Sequence, residues 1–401
     1  MSAAIARAAH RSPLDRALSF SAANAEEAIG DLSRMLAIDT SFPPGEGYVR
    51  FADLLEELLL PLGLACRRVL VPGELWDAGS GSLRGDRVNL IASGFRVEGP
   101  GSGRRRPEGA SRPGLSSPSH EPDAAKLPVC GLYFHTDTVP PAQDWRREPF
   151  ALAREGKRLY GLGAADMKGT MAAALLALRA AKSCDVELAY DPVLLFCTDE
   201  EGGLYPGIRH LAGQGLLEGH ILNLNGGAVP RIWAGCFGSI NLALRLHGRA
   251  AHAGDSEGVN AIEAALPVLA ALAALKPRIA ARASALPPPP HLAGAGLRPR
   301  LTIAAAHGGS SGGAVPALFE ILVNRRYAPE ESLDAALAEI EAAVGAATRG
   351  SPIAVEMKLV GHLAPVIDPT GPHWPRWQAA LSQGFGWAPA DFHAYGATSS
   401  S

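Results

Sequence analysis

The chain lacks the features of secreted, membrane-spanning and nucleic-acid-binding proteins. Its five cysteines are scattered, odd in number and form no C-x-x-C pair, which argues against a disulfide framework and a thiolate zinc site. The N-terminal stretch MSAAIARAAHRSPLDRALSF has no continuous apolar core of the signal-peptide type. No apolar run further along is long enough to cross a bilayer. We therefore expect a soluble protein in a reducing, cytoplasmic setting.

The chain also has little net charge. Its 37 basic and 40 acidic residues give a formal charge of -3, so neither nucleic acid nor a membrane is an expected partner, and a small-molecule substrate is. With 401 residues, of which 47% are hydrophobic, the chain is long enough to bury a large core. We expect two domains.

Short apolar runs alternate with a helical pattern in the first half of the chain. The runs VNLIASG, VCGLYFH and DPVLLFCTDE are rich in β-formers, whereas ADMKGTMAAALLALRAAK has helical character. This alternation predicts an α/β fold, in which strands and helices pack together around a sheet. Loops that carry ligands in such folds cluster at the carboxyl ends of strands. His135 and the acidic TDEEGG stretch both lie where such a strand would end.

The pattern changes from Gly238 onward. SINLALRLHGR alternates like a half-exposed strand, and helix-like and strand-like segments follow as far as PIAVEMKLVG. Their order suits a ferredoxin-like α+β domain with four strands and two helices, which we place at residues 237–360. The catalytic domain then comprises residues 1–236 and 361–401. Residues 95–127, rich in Gly, Pro, Ser and Arg, predict a disordered insertion that is either a solvated loop or a basic docking arm.

Four polar clusters fall at predicted strand or loop ends: His135 with Asp137, then Asp166, Glu200 with Glu201, and Asn225. Hydrolases can use two divalent cations that share a bridging carboxylate, with His and Asp or Glu as the other ligands and one more carboxylate as base. Each cluster alone has an ordinary explanation, such as a surface pair or an aspartate that caps a helix. Their joint occurrence at successive strand ends favours a metal site.

The order of these motifs resembles that of the dinuclear metallohydrolases, which include aminoacylase, acetylornithine deacetylase, succinyl-diaminopimelate desuccinylase and glutamate carboxypeptidases. The resemblance runs through DTSFPPGEGY, YFHTDTVP, DWRREPF, LYGLGAADMKGTMAA, CTDEEGG, GRAAHAG, GVNAIEAA and AVPALFEILVNRRYAPEES. It implies a zinc-peptidase-like α/β catalytic domain with a mixed sheet between helices, and an inserted lid that forms homodimers. It also implies two divalent ions, zinc first, with cobalt or manganese as alternatives.

The same resemblance assigns roles to residues of the first domain. His135 is similar to a ligand of one ion, Asp166 to the bridging carboxylate and Glu201 to a ligand of the other ion. Asp137 is expected to hold the second ring nitrogen of His135 and so to fix its tautomer. Glu200 resembles the general base, which takes a proton from water and passes it to the leaving amine.

Two residues of the lid also match the family. His252 in GRAAHAG resembles the histidine that reaches the partner subunit's active site and stabilises the developing oxyanion. Arg326 in VNRRYAPEE resembles the lid arginine, for which we weigh two roles: pairing with a substrate carboxylate and a salt bridge that stabilises the fold. Their ordinary alternatives are structural.

The sequence departs from the family pattern in three places. Asn225 stands where the family has an acidic ligand of the ion on His135, and an amide is a poorer ligand. The family's C-terminal histidine, a ligand of the ion on Glu201, is expected to be missing, because the chain stops at Ser401 and His393 does not match it. In the lid, Gly313 and Asn324 replace an asparagine and an aspartate of the family.

Two functional hypotheses remain. The first is a metal-dependent hydrolase, of the deacylase or peptidase type, that cleaves the amide bond of an N-acyl amino acid or small peptide with metal-activated water. The second is a catalytically impaired or truncated homologue that keeps the fold as a binding or structural protein.

Overall fold

The computed structural model describes residues 12–76, 83–97, 127–225, 232–254, 256–288, 296–367, 371–388 and 393–396. Contacts divide the chain into two compact units, Met1–Gly226 and Gly227–Ser401. Most of the predicted insertion at residues 95–127 lies outside the described residues. Within the described part, no helix is both long and apolar enough to cross a membrane.

The first unit combines five α-helices with seven strands among its described residues. The helices are α1 (Pro13–Ala23), α2 (Ala25–Leu36), α3 (Tyr48–Leu59), α4 (Gly169–Ser183) and α5 (Pro206–Gly213). The strands are β1 (Ala65–Leu70), β2 (Val88–Ser93), β3 (Val129–His135), β4 (Ala153–Glu155), β5 (Arg158–Tyr160), β6 (Asp191–Cys197) and β7 (His220–Asn223).

Five of these strands form one mixed sheet in the order β1-β2-β6-β3-β7. The β6, β3 and β7 strands run parallel, whereas β1 and β2 are antiparallel to their neighbours. Parallel strands covered on both faces need apolar side chains throughout, which explains the uninterrupted run VCGLYFH. This sheet with its helices confirms the α/β class predicted from the alternating pattern.

The core of the first unit lies between helices and one face of the sheet. Met35 from α2, Phe51 and Leu55 from α3 and Leu175 from α4 are fully buried against Phe134 of β3, in one apolar cluster. The α2 and α4 helices contribute because their apolar residues recur at helical spacing. Truncating one such side chain to alanine costs about 2–5 kcal/mol in typical cores.

The sequence analysis predicted no helix at the position of α1. Ser12 and Asp15 form a reciprocal capping box, in which the Ser12 hydroxyl accepts the N–H of Asp15 and the Asp15 carboxylate accepts the N–H of Ser12. Pro13 follows the cap, where its missing N–H costs nothing. This local signal explains why the helix begins at Pro13.

The second unit contains nine strands and three α-helices among its described residues. The strands are β8 (Ile232–Cys236), β9 (Gly238–His247), β10 (Ala251–His252), β11 (Arg300–Gly308), β12 (Ala314–Val315), β13 (Leu318–Tyr327), β14 (Ala354–Leu363), β15 (Val366–Ile367) and β16 (His393–Gly396). The helices are α6 (Ala261–Ala280), α7 (Leu333–Ala347) and α8 (Trp374–Phe385).

The β11-β13-β9-β14 sheet is antiparallel throughout, and α6 and α7 supply apolar side chains to its core. The chain order β-α-β-β-α-β is that of the predicted ferredoxin-like arrangement. A separate three-stranded sheet has the order β15-β8-β16. The second unit begins at Gly227 and includes residues 361–401 together with the four-stranded sheet. The domain boundaries at 236/237 and 360/361 stay a prediction.

Candidate metal centre

The site lies where two neighbouring parallel strands end. His135 is the last residue of β3, and it pairs in register with Cys197, the last residue of β6. The chain after β6 continues as residues 198–205, here named the acidic loop, which carries Glu200 and Glu201 and leads into α5. Because parallel strands end at the same edge of a sheet, His135 and the acidic loop meet there.

Three side chains of metal-binding type converge at this edge. One ligand atom each from His135, Asp166 and Glu201 lies within 4.8 Å of the other two. The His135 Nε2 atom is 2.8 Å from the Asp166 carboxylate. His135 is fully buried, whereas the Asp166 side chain is 59% exposed. The cluster therefore has a buried imidazole on one side and a carboxylate open to solvent on the other.

Asp166 reaches His135 because the backbone before α4 is irregular. At Asp166 it is extended, with φ -130° and ψ 94°, between Gly163 and the start of α4 at Gly169. The carboxylate contacts His135, and Lys168 rather than Asp166 occupies the N-cap position of α4, so the helix-capping alternative is not observed. Lys168 is buried and donates to the carbonyls of Met35 and Ile38, both 3.1 Å away, which ties this segment to the end of α2.

Asp137 connects His135 with the acidic loop. It is fully buried, and its Oδ2 accepts the N–H of Glu201 at 2.8 Å. Its Oδ1 lies 3.5 Å from His135 Nδ1, while the Asp137 backbone carbonyl is closer to that nitrogen, at 3.1 Å. Among the described residues, Oδ1 has no hydrogen-bond partner. The orienting role predicted for the carboxylate is thus shared with the backbone carbonyl of the same residue.

The local electrostatics are dominated by acidic groups in a partly desolvated space. Burial raises the pKa of Glu201 to about 7; His135 opposes this rise, and the carboxylates of Asp166 and Glu200 add to it. Burial alone would lower the pKa of His135, but the neighbouring carboxylates of Asp137 and Asp166 outweigh it and raise the pKa to about 10. The crowding of carboxylates favours a cation at this site.

The donor set fits a divalent metal ion. Imidazole nitrogen and carboxylate oxygen are ligands for zinc, cobalt and manganese alike. The Asp166 carboxylate is exposed to solvent next to the buried imidazole, so its oxygens are accessible to an added ion. Asp137 stands behind both His135 and Glu201, as residues do that orient metal ligands.

The sequence model described as Peptidase family M20/M25/M40 matches residues 131–384, which is more than half of the chain. The chain belongs to this peptidase family. The matched range includes His135, Asp166 and Glu201 as well as the four-stranded sheet of the second unit. The recognition of a dinuclear metallohydrolase family from the sequence motifs is thereby confirmed.

Curated relatives cover parts of this M20/M25/M40 chain. Succinyl-diaminopimelate desuccinylase from Xanthomonas campestris pv. campestris is 36% identical over 157 residues, 39% of this chain and 38% of that protein. Acetylornithine deacetylase from Aliivibrio fischeri is 31% identical over 221 residues, 53% and 56% of the two chains. The alignments thus span about half of these relatives or less.

The fold is similar to that of a solved structure along nearly the whole chain. The di-peptidase Dug1p from Saccharomyces cerevisiae matches with a TM-score of 0.74 at 16% identity, covering 96% of this chain and 87% of that chain. At this identity the likeness shows the fold alone. It confirms the predicted fold class.

Asn225 lies at the same end of the sheet as His135. The last residue of β7, Asn223, pairs with Tyr133 of β3, two residues before His135, and Asn225 follows the end of β7 by two residues. Its N–H donates to Asn223 Oδ1 at 2.8 Å. The register supports Asn225 as a neighbour of the site, and its role as a ligand stays a prediction.

The two residues predicted in the lid belong to the second unit. His252 is exposed on the short β10 strand, and its Nδ1 accepts the N–H of Gly254 at 3.2 Å. Arg326 is half-buried on β13, and its Nε donates to Asn324 at 3.2 Å. Its neighbour Arg325 is fully buried and pairs with Glu331 at 2.6 Å. Arg325 thus forms a buried ion pair, and both roles weighed for Arg326 stay predictions.

Sequence reasoning missed three buried residues: Asp199 of the acidic loop, and Tyr48 and Arg87, which contact it. Asp199 accepts hydrogen bonds from both of the others. The one available signal was Asp199 itself, an acid directly before the two predicted site glutamates. Arg87, in DRVNL, lies 112 residues away in sequence, so no local pattern linked the two.

Proposed function

We propose that the protein is a metal-dependent amidohydrolase that cleaves the amide bond of an N-acyl amino acid or small peptide. The observation that carries this proposal is the convergence of His135, Asp166 and Glu201 at the edge of the sheet. Membership of the M20/M25/M40 family supports it, as do relatives named as a desuccinylase, a deacetylase and a di-peptidase.

His135, Asp166 and Glu201 would hold two divalent ions, with Asp166 between them and Asn225 as a further neutral ligand. When bound, the ions supply Lewis acidity toward the substrate carbonyl and the attacking water. Asp137 holds the backbone of Glu201 and stands beside the imidazole of His135, which restricts how these two side chains can move. Zinc is our first choice of metal.

Glu200 is our candidate for the general base. It lies in the acidic loop between Asp199 and Glu201, and its side chain is half-buried. Its carboxylate would accept a proton from the attacking water and pass this proton to the nitrogen of the leaving amine. That transfer makes the amine a better leaving group, and it returns Glu200 to its ionised state.

The second unit would complete the site in a homodimer. We propose residues 237–360 as a lid and dimerisation domain, in which His252 donates a hydrogen bond to the developing oxyanion of the partner subunit's substrate. Arg326 would pair with a substrate carboxylate. Sedimentation of the purified chain tests the dimer, and loss of turnover in His252→Ala with an unchanged zinc content tests the oxyanion role.

The direct test combines metal content and turnover on one sample. The full chain is dialysed against trace zinc, and its bound zinc and its hydrolysis of N-acetyl amino acids and dipeptides are measured. About two ions per chain with turnover supports the proposal. Less than one ion without turnover supports the alternative, a homologue that keeps the fold as a binding or structural protein.

Glu200→Gln separates the general base from the metal ligands. The amide keeps the shape of the side chain but cannot take up the proton, so kcat should fall by about 10² to 10⁴ while zinc content is unchanged. Glu187→Gln is the matched control, because Glu187 is an exposed carboxylate of the same unit, in the connection before β6. Full activity of Glu200→Gln would remove Glu200 from the mechanism.

A further inference from the structure

The acidic loop has a backbone that needs support from outside. Asp199 and Tyr205 both adopt left-handed conformations, with φ of 58° and 53°. Such values are uncommon for residues other than glycine, and they persist where surrounding contacts determine them. Glu200 and Glu201 lie between these two positions. Whatever holds Asp199 therefore also sets the direction in which the Glu200 side chain leaves the backbone.

Asp199 is held by two buried donors. Its Oδ2 accepts from Arg87 Nε at 2.9 Å, and its Oδ1 accepts from the Tyr48 hydroxyl at 2.5 Å. Each of these three residues is no more than 1% exposed. Both oxygens of the carboxylate are thus fixed, which leaves Asp199 one orientation relative to the N-terminus of α3 and the start of β2.

Arg87 is itself immobilised by the rest of its guanidinium. Its NH2 donates to the carbonyl of Pro44 at 2.9 Å, and its NH1 donates to the carbonyls of Gly85, at 3.0 Å, and Arg84. The Trp76 ring packs on the guanidinium, with its centroid 4.0 Å from the Cζ atom. The planar fork therefore has one geometry, which a lysine could not reproduce.

Asn89 of β2 binds the start of the acidic loop and the first turn of α5, which follows the loop. Its Oδ1 accepts the N–H of Thr198 at 3.2 Å, and its Nδ2 donates to the carbonyl of Gly207 at 2.9 Å. Arg87 directly precedes β2 and Asn89 is its second residue, so the two side chains leave the extended backbone on the same side. Side chains on one face of DRVNL therefore contact the acidic loop at Thr198 and Asp199 and the first turn of α5 at Gly207.

The contacts enclose Glu200 from both sides along the chain. Asp199 before it is bound by Arg87 and Tyr48, and Glu201 after it donates its N–H to Asp137. The Glu200 carbonyl accepts the N–H of Gly203 at 2.9 Å, which closes the turn. The backbone of the candidate base is therefore determined by groups outside the metal cluster.

We propose that Tyr48, Arg87 and Asn89 form a clamp, whose members are positioning residues that hold Glu200 and Glu201 in the geometry needed for catalysis. This inference rests on the proposed hydrolase function. A buried ion pair is a poor way to gain stability, because apolar residues of similar size often do as well or better. Asp199 directly precedes the candidate base Glu200. The Arg87–Asp199 pair is therefore placed to position that base, a role that stabilisation of the fold alone does not explain.

Tyr48→Phe is the sharpest test, because it removes one hydroxyl and keeps the ring in the core. Hydrogen exchange of residues 198–207 should become about tenfold faster or more, since the loop opens more readily when one contact of Asp199 is lost. Zinc affinity should weaken about tenfold, as it does when groups behind metal ligands are lost. In the zinc-loaded enzyme, kcat should fall about tenfold with KM within about a factor of two.

Arg179→Met is the matched control. Arg179 is a largely buried arginine of the same unit whose 2.6 Å ion pair with Asp31 links α4 with α2, away from the acidic loop. This variant should lose global stability without changing loop exchange, zinc affinity or kcat. Arg87→Lys tests the guanidinium fork separately, and we expect effects at least as large as those of Tyr48→Phe if the variant folds.

The outcomes distinguish the clamp from the proposed reaction. Unchanged loop exchange and unchanged zinc affinity in folded Tyr48→Phe would overturn the clamp, and so would equal effects in Arg179→Met. If the wild-type chain turns over no substrate, the hydrolase proposal fails, while exchange and zinc affinity still decide whether the clamp orders the loop. If Arg87→Lys does not fold, Tyr48→Phe alone decides.

Discussion

Replacing Asp137 by asparagine should weaken metal binding while leaving the fold intact. The side chain is fully buried, and its Oδ2 accepts the Glu201 N–H at 2.8 Å. The amide oxygen of asparagine can keep that bond. The negative charge 3.5 Å from His135 Nδ1 is lost, however, and with it the support for a positively polarised imidazole.

The size of the effect follows from linkage. Loss of a carboxylate behind a metal ligand typically costs 10- to 100-fold in affinity, roughly 1.4 to 2.7 kcal/mol. At a zinc concentration about 100 times the wild-type Kd, one site stabilises the folded chain by about 2.7 kcal/mol. In Asp137→Asn the same zinc should contribute only about 0.4 to 1.4 kcal/mol. For a unit of this size the zinc-dependent rise in Tm should shrink by roughly 3 to 9 °C.

The assay compares thermal unfolding with zinc and with chelator for the wild type and each variant. Asp31→Asn is the control, since Asp31 is a buried carboxylate paired with Arg179 and should change stability without changing the zinc-dependent gain. An undiminished zinc gain in Asp137→Asn would refute the reasoning. It would mean that the Asp137 backbone carbonyl, 3.1 Å from Nδ1, is sufficient to fix the imidazole.

Further predictions concern the loop ends, the neutral ligand position and the thiols. Gly207→Ala should cost about 1–3 kcal/mol or more in urea unfolding, because the new Cβ would lie 2.6 Å from Thr198 backbone atoms, whereas Gly213→Ala on the same helix meets no atom within 4 Å and should be neutral or stabilising. Asn225→Asp should tighten zinc binding at least about tenfold in a calorimetric titration, because an anionic ligand replaces an amide; an unchanged Kd would mean that Asn225 is no ligand. Labelling of the native protein with a thiol reagent should modify the partly exposed cysteines, Cys66 and Cys184, before the buried ones, Cys130, Cys197 and Cys236. Burial hinders access of the reagent, and it raises the pKa of Cys130 to about 11, which disfavours the reactive thiolate.

Much of the fold could be predicted from the sequence, because the patterns that indicate its helices and strands are local. VCGLYFH is an uninterrupted apolar run, which a parallel strand covered on both faces requires, and it ends at His135 where the structure ends β3. Between Gly238 and residue 363, strand segments such as SINLALRLHGR alternate apolar and polar residues, which is typical of a half-exposed sheet. The strands of this region form the four-stranded sheet. Local periodicity therefore carried the class and the order of elements.

The residues that hold the acidic loop could not be predicted from the sequence, because they act through contacts between segments that are distant along the chain. The Arg87 to Asp199 pair spans 112 residues, and the Tyr48 to Asp199 hydrogen bond spans 151. From sequence alone, an arginine before a strand, such as Arg87, is expected to be a solvated charge, and a tyrosine at the start of a helix, such as Tyr48, is expected to be a core residue. The left-handed backbone of Asp199 has no sequence signal comparable to glycine. Motif order found the candidate ligands, and tertiary structure was needed to find what holds them.

The burial of charge at this edge bears on the choice between hydrolase and structural homologue. Each of five ionisable side chains there is at most 1% exposed: Arg87, His135, Asp137, Lys168 and Asp199. Removing such groups from water is costly, and even well-paired buried ions often stabilise a fold no better than apolar residues do. A chain maintained only for its fold would gain nothing from keeping them together behind two glutamates. Their concentration at the ends of β3 and β6 is what a site needs when carboxylates must be held in fixed positions around a cation. The energetics of the first unit therefore favour the metal-dependent hydrolase.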